Sequence, residues 1–173
     1  DHLDIDKANT HVPDGRAKDP DQFCAWYEEQ MRVAGGIDLQ VLGIGSDGHI
    51  GFNEPGSSFA SRTRLVALDE QTLTDNARFF ARKEDVPNSA ITMGVGTILE
   101  AKELLFVVNG AKKASVIAAA MEGPLTSLVS ASALQLHPRV SVFLDEEAAG
   151  ALTRRSYYTF AERSEQNLGR ELF

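Results

Sequence analysis

Short apolar runs alternate with amphipathic segments along this chain, which is the pattern of an α/β fold. The runs predicted as strands are residues 37–44, 65–68, 90–93, 104–108 and 140–144. The segments predicted as helices are residues 20–33, 72–80, 95–101, 112–121 and 131–136, with a further helix after the acidic residues 145–147. Strands that alternate with helices indicate a mostly parallel, Rossmann-like sheet flanked by helices. We therefore expect a single α/β domain over residues 1–173.

Residues 43–55, directly after the first predicted strand, hold the densest group of candidate functional residues. Asp47, His49 and Glu54 lie there among four glycines, at positions 43, 45, 48 and 51. Glycine permits positive φ angles and close approach of the backbone, and open α/β sheets bind ligands outside the carboxyl ends of their strands. A histidine flanked by two carboxylates at such a place is a candidate proton-transfer centre.

Two other interpretations of this loop remain open. A glycine-rich turn can serve packing alone, and a histidine is often structural, although the two nearby carboxylates favour a functional site. The segment from Gly43 to Gly48 also fits the dinucleotide-binding pattern G-x-G-x-x-G. A dinucleotide site is disfavoured because Pro55 follows soon after, and the residues from His49 onward are a poor start for a long helix.

Composition narrows the classes of partner. A formal net charge of −8 argues against nucleic-acid and anionic-membrane partners, but it leaves room for a phosphorylated substrate in a locally cationic cleft. The single cysteine, Cys24, excludes an intrachain disulfide and a cysteine-based zinc site. This fits a reducing compartment, and we expect a cytoplasmic protein. No apolar run is long enough for a transmembrane helix.

The segment Gly45-Ser-Asp-Gly-His-Ile-Gly-Phe-Asn-Glu-Pro55 resembles the signature of glucosamine-6-phosphate deaminases, which are also called isomerases. Later family blocks are matched in order by residues 61–64, 77–80, 90–97, 110–114 and 133–138. The resemblance covers residues 1–165. The related 6-phosphogluconolactonases share the fold and a Gly-x-Asp-Gly-His element, but they typically continue toward Ser-Leu-Phe-Pro. The Gly-Phe-Asn-Glu-Pro continuation found here favours the deaminase.

The resemblance implies a reaction and a set of residues. Family members convert glucosamine 6-phosphate and water to fructose 6-phosphate and ammonia, without a metal or an organic cofactor. By resemblance, His49 is the acid/base that opens the sugar ring, and Asp47 and Glu54 hold it through hydrogen bonds. Arg78 and Lys113 match the phosphate-contacting positions. Without the resemblance, both cations would be interpreted as solvated surface residues.

The resemblance also bears on regulation. Some family members are hexamers activated by N-acetylglucosamine 6-phosphate, and Ser57, Ser58 and Arg64 match that allosteric site. Val66 stands where regulated members have lysine, and Tyr158 is a loose match to a C-terminal tyrosine of the site. An anion site that lacks one cation should bind more weakly, because a charged hydrogen bond contributes about 1.5–3 kcal/mol. Activation and a homo-oligomeric state are therefore open.

Family members also carry an earlier βαβ segment, with a glycine-rich phosphate loop and an Asp-Glu-Tyr element that supplies the base acting at C2. Neither occurs in this sequence. We therefore expect an N-terminally incomplete domain, the C-terminal two-thirds of a deaminase, that is inactive alone. The alternatives are a 6-phosphogluconolactonase-like hydrolase and a non-catalytic module that binds a sugar phosphate.

Overall fold

A computed structural model of the protein describes residues 4–167. Its strands are β1 (Leu39–Leu42), β2 (Arg64–Ala67), β3 (Ser89–Thr92), β4 (Glu103–Val108) and β5 (Val140–Leu144). Its α-helices are α1 (Pro20–Val33), α2 (Glu70–Asn76), α3 (Val95–Leu99), α4 (Ala114–Glu122) and α5 (Arg155–Asn167). Every predicted strand is present, with small shifts at the ends. None of the helices described between residues 4 and 167 combines the length and apolarity that crossing a bilayer requires.

The main sheet is parallel, as the alternating pattern predicted. Its strand order is β1-β4-β5, and the register sets Leu42 beside Phe106 and Phe106 beside Val142. β2 and β3 do not join this sheet; they form a separate antiparallel pair in which Arg64 lies opposite Thr92. An antiparallel partner needs no crossover helix packed on a sheet face, so the segment between β2 and β3 is free to lie elsewhere.

The helix predicted over residues 72–80 differs most from the structure. α2 begins earlier because the side chain of Asp69 caps it, accepting a hydrogen bond from the Thr72 backbone N–H at 2.6 Å. It ends at Asn76, and Ala77–Phe79 form a 3₁₀ turn instead of a further α-helical turn. The segment predicted as a helix at residues 131–136 is likewise a 3₁₀ turn, Ser130–Leu136.

One face of the parallel sheet carries the hydrophobic core. Leu104, Phe106 and Val108 alternate along β4 and are all buried. They pack with buried residues of α3, α4 and the following 3₁₀ turn, among them Ile98, Ile117, Ala131 and Leu134. Ile50, the residue after His49, belongs to the same core and is fully buried. Burial of such a side chain contributes about 1.5–3 kcal/mol, so the core anchors the loop that follows β1.

The opposite face of the sheet is apolar and exposed in the part of the chain that the structure describes. The register places Val41 beside Leu105 and Val107 beside Phe143 on that face. Val41, Val107 and Phe143 are exposed, and Leu105 is half-buried. Parallel sheets are usually covered on both faces, so this surface has the character of a buried one.

The carboxylate of Glu28 ties α1 to the rest of the fold. Its Oε1 accepts hydrogen bonds from the Thr63 backbone N–H at 2.8 Å and from the hydroxyls of Thr63 and Thr97, each at 2.5 Å. Arg62 pairs with Oε2. Burial opposes ionisation of the carboxyl, but these donors outweigh it and hold the pKa of Glu28 below its usual value.

We expect Glu28→Gln to lower the free energy of unfolding at neutral pH by about 1.5–3 kcal/mol, because a neutral acceptor replaces a charged one. A depressed folded-state pKa stabilises the protein above the unfolded-state pKa, and this contribution is lost as pH falls through the folded value. The difference in free energy of unfolding between the parent and the variant should therefore be largest at neutral pH and should decrease in acid. Urea unfolding at a series of pH values measures it. Glu29→Gln, on the exposed face of α1, is the matched control and should change nothing measurable. Equal losses in both variants would contradict the assignment.

Candidate functional site

The loop after β1 folds back on itself to present His49 at the carboxyl edge of the parallel sheet. The Gly45 backbone N–H donates to the His49 carbonyl at 2.8 Å, which closes the turn. Gly48 sits inside it with φ of +96°, where a side chain would also strike Val129 and Val116. A side chain at Gly48 is therefore excluded by both backbone conformation and space. Within the described residues no helix begins between positions 43 and 63, which agrees with the rejection of a dinucleotide-binding motif.

Gly45 and the imidazole of His49 lie in closer contact than any side chain at position 45 would permit. A Cβ added at Gly45 would lie 2.4 Å from Cε1 and 2.5 Å from Nδ1 of the ring. Gly43, two positions earlier, is unconstrained by comparison, since its Cβ would meet only the Val107 carbonyl oxygen at 3.9 Å. The second glycine of the loop thus has a specific task, which is to make room for the ring.

The structure brings Asp47, His49 and Glu54 together. His49 Nδ1 lies 2.7 Å from Asp47 Oδ1 and 3.2 Å from Glu54 Oε2. Asp47 Oδ1 also accepts a hydrogen bond from the His49 backbone N–H at 3.1 Å, which fixes that carboxylate against the turn. Because Nδ1 faces both carboxylates, Nε2 is the ring nitrogen left for a ligand.

The contacts among these three side chains are close, but they leave some of the polar atoms without a hydrogen bond. The distances from Nδ1 are those of ion pairs, but the angles are not those of hydrogen bonds. As a result His49 Nδ1, Asp47 Oδ2 and Glu54 Oε2 are buried without a hydrogen-bond partner among the described residues. Buried polar atoms in proteins are nearly always paired, and exceptions concentrate at functional sites. The unsatisfied atoms therefore mark this cluster as a candidate functional site.

The environment of Glu54 favours its neutral form. Burial raises the pKa of Glu54 above its usual value, and the nearby carboxylates of Asp69 and Asp47 act in the same direction. The Thr72 hydroxyl and His49 oppose this shift. The pKa of Glu54 is therefore held above that of an exposed glutamate, mainly by burial.

One atom each from Asp47, His49 and Glu54 lies within 4.8 Å of the others, a spacing that can also accommodate a metal ion. The same spacing serves a hydrogen-bonded histidine between two carboxylates. The resemblance to glucosamine-6-phosphate deaminases implies that no metal takes part in the reaction.

α2 supports the loop from one side through two polar contacts. The Thr72 hydroxyl donates to Glu54 Oε1 at 2.7 Å, and the Ser46 hydroxyl donates to Asp75 Oδ2 at 3.1 Å. Thr72 is buried. Nothing in the sequence singles out Thr72, because a threonine inside a polar helix carries no motif; its role depends on where α2 lies.

Arg78 and Lys113 lie in short 3₁₀ turns that adjoin α2 and α4, the two helices that approach the loop. Arg78 is exposed in the 3₁₀ turn after α2, with its guanidinium 4.7 Å from the centre of the Phe79 ring. Lys113 is half-buried at the start of α4, one turn before Val116, which touches Gly48. Their convergence on one anion stays a prediction.

Ser57, Ser58 and Arg64 line one cleft of about 380 Å³, which Glu54 and Val66 also border. Arg64 Nη2 donates to Ser57 Oγ at 3.1 Å, and burial lowers the pKa of the guanidinium. Tyr158 does not lie in this cleft; it lines another one between β5 and α5. The match of Tyr158 to the tyrosine of the allosteric site stays a prediction.

Comparison with known proteins identifies the family of the chain. The protein family described as glucosamine-6-phosphate isomerases/6-phosphogluconolactonase matches residues 1–141. A glucosamine-6-phosphate deaminase of Shewanella woodyi is 54% identical over 168 residues, which are 97% of this chain and 64% of that protein. One of Corynebacterium aurimucosum is 52% identical over 94% of this chain and 64% of its own length. The chain thus spans just under two thirds of these relatives.

Solved structures give the same picture. A monomeric glucosamine-6-phosphate deaminase superposes with a TM-score of 0.84 at 45% identity, over 87% of this chain and 62% of that one. A 6-phosphogluconolactonase from Trypanosoma cruzi superposes with a TM-score of 0.58 at 21% identity, over 76% of this chain and 52% of that one. The second likeness concerns the fold alone.

We expect Gly45→Ala to displace the His49 ring by about 1 Å, because a Cβ contact of 2.4 Å must relax to the ordinary 3.4 Å. The imidazole resonances in a ¹H–¹³C NMR spectrum, or a crystal structure of the variant, measure the displacement. Gly43→Ala is the matched control and should leave the ring in place. An unmoved ring in Gly45→Ala would contradict the packing described here.

Proposed function

The chain belongs to the glucosamine-6-phosphate isomerase/6-phosphogluconolactonase family. We propose that it functions as part of a glucosamine-6-phosphate deaminase. The reaction would convert glucosamine 6-phosphate and water to fructose 6-phosphate and ammonia. The carrying observation is the half-buried group of His49, Asp47 and Glu54, in which three buried polar atoms have no hydrogen-bond partner among residues 4–167. The relatives above 50% identity bear the deaminase name, whereas the lactonase likeness extends to the fold only. The deaminase is therefore preferred over the lactonase and over a non-catalytic module.

The geometry suits opening of a sugar ring. Ring opening moves one proton from the anomeric hydroxyl and another to the ring oxygen, and a single imidazole can serve both atoms in turn. Asp47 and Glu54 at Nδ1 would fix the orientation of the ring, while Nε2 exchanges the proton with the sugar. The later transfer of a proton from C2 to C1 needs a separate base, and we assign that role to none of the described residues.

The phosphate would be held away from these carboxylates. Arg78 offers a forked pair of donors and Lys113 a point charge. Arg78 follows α2, which contacts the His49 loop, and Lys113 directly precedes α4, which approaches it. In an extended sugar phosphate, C1 and the phosphate on C6 lie at opposite ends. Acidic groups around C1 and cations around the phosphate therefore match the two ends of one ligand.

We propose two further roles. The cleft of Ser57, Ser58 and Arg64 combines hydroxyls with a guanidinium and would suit a regulatory anion. The apolar sheet face formed by Val41, Val107 and neighbours would be covered in a complete family member, or by a second copy. We propose a cytoplasmic location from the deaminase function. That residues 1–173 alone lack activity stays a prediction.

The proposal is tested by His49→Gln in the complete gene product. Loss of the proton relay should reduce kcat for ammonia release from glucosamine 6-phosphate by about 10²–10⁴-fold, with KM changed little, because the ring acts on the transferred protons. His11→Gln, at an exposed position, should behave as the parent. A parent protein that releases no ammonia, or a variant with unchanged kcat, would refute the assignment.

Arg78→Ala should raise KM by about 10- to 100-fold with a smaller effect on kcat, because it removes a charged contact to a group remote from the reacting carbons. Arg82→Ala is the matched control. Arg82 lies four positions further on, is paired with Asp85 at the surface, and should leave KM unchanged. Steady-state kinetics of both variants test whether Arg78 contacts the phosphate. Equal effects of the two substitutions would exclude a specific phosphate contact.

A further inference from the structure

The hydroxyl of Ser130 bonds to both ends of the segment that separates His49 from Glu54. Its Oγ accepts a hydrogen bond from the Ile50 backbone N–H at 3.2 Å and donates to the Asn53 carbonyl at 2.7 Å. Ile50 directly follows His49, and Asn53 directly precedes Glu54. Ser130 is 1% exposed and lies 80 positions from Ile50, in the 3₁₀ turn before β5.

The neighbouring backbone holds the same segment in line. Ala131 N–H donates to the Gly48 carbonyl at 3.0 Å, and Asn53 N–H donates to the Ile50 carbonyl at 3.1 Å. The hydroxyl of Ser130 therefore completes a small buried network of hydrogen bonds around this turn of the chain. Removing it would leave the Ile50 donor buried and unsatisfied, which is unfavourable enough for the turn to shift toward another partner.

We propose that Ser130 is a positioning residue that sets the separation of His49 and Glu54. The proposal rests on the proposed roles of those two residues in proton transfer. The 3.2 Å contact between Nδ1 and Oε2 has no hydrogen bond of its own to maintain it. The Thr72 hydroxyl holds the Glu54 side chain from α2, and the backbone on either side of the turn supplies the remaining rigidity. A misplacement of about 1 Å in a catalytic group can reduce the rate by about 100-fold.

The chain offers a matched control two positions away. Ser132 is 0% exposed, lies in the same 3₁₀ turn and also makes two backbone hydrogen bonds. Its Oγ accepts from the Thr126 N–H and donates to the Thr126 carbonyl, both at 2.9 Å. Ser132 thus has the same chemistry and burial as Ser130, but it supports a different loop.

The experiment compares Ser130→Ala with Ser132→Ala in the complete gene product, at a temperature where both variants are folded. We expect Ser130→Ala to lower kcat for ammonia release by about 10- to 100-fold, with KM within about threefold of the parent. Ser132→Ala should retain kcat within about threefold. Equal kcat values in the two variants would overturn the proposal.

Two further measurements keep the test decisive. If Ser130→Ala does not fold, Ser130→Thr and Ser130→Val form a pair of equal size that differs in the hydroxyl. The Ser130→Thr variant should retain kcat and the Ser130→Val variant should lose it, and equal kcat values would overturn the proposal.

If the parent releases no ammonia, the proposed function fails, but the imidazole NMR resonances of His49 still test the role of Ser130. They should shift in the Ala or Val variant and stay fixed in Ser132→Ala; unshifted resonances at Ser130 would overturn the proposal.

Discussion

A fully buried amide, that of Asn53, joins the three segments on which the site depends. Its Nδ2 donates to the carbonyls of Ile50 at 2.9 Å and Met93 at 2.8 Å, and its Oδ1 accepts from Arg64 Nη1 at 2.9 Å. An unsatisfied buried amide costs about 1–3 kcal/mol. The loop, the end of β3 and the start of β2 therefore adopt their positions together.

This constraint explains why a small antiparallel sheet lies beside the parallel one. β3 supplies Thr92, whose Oγ1 accepts a hydrogen bond from the Phe52 backbone N–H at 3.0 Å. Gly51, with φ of +59°, permits the approach, since a Cβ there would lie 2.9 Å from that oxygen. The antiparallel pair thus supports the loop from one side, as the 3₁₀ turn of Ser130 supports it from another. A short polar loop gains its rigidity from these buried contacts.

The charges of the site separate into two groups. Asp47 and Glu54 lie against the imidazole, Asp69 acts electrostatically on Glu54, and burial raises the pKa of Glu54. A phosphate placed among them would be repelled, in a protein whose net charge is already −8. The cations Arg78 and Lys113 belong to other elements. Under the proposed function, the sugar phosphate would bind with its uncharged end toward His49. Such a division is possible only for a ligand whose charge is remote from its reacting atoms.

The sequence was sufficient for features encoded locally and insufficient for those that depend on distant pairing. Apolar runs predicted every strand, and glycine spacing predicted the cluster of Asp47, His49 and Glu54, because both patterns lie within a few residues. Ser130 and Thr72 escaped prediction because their partners lie 80 and 18 positions away. A buried serine is recognisable only when the chain it bonds to is in place. The candidate proton-transfer residues of this loop are close together in sequence, but the contacts that hold them come from residues far away in sequence. A sequence motif can therefore identify the candidate residues without identifying the residues that position them.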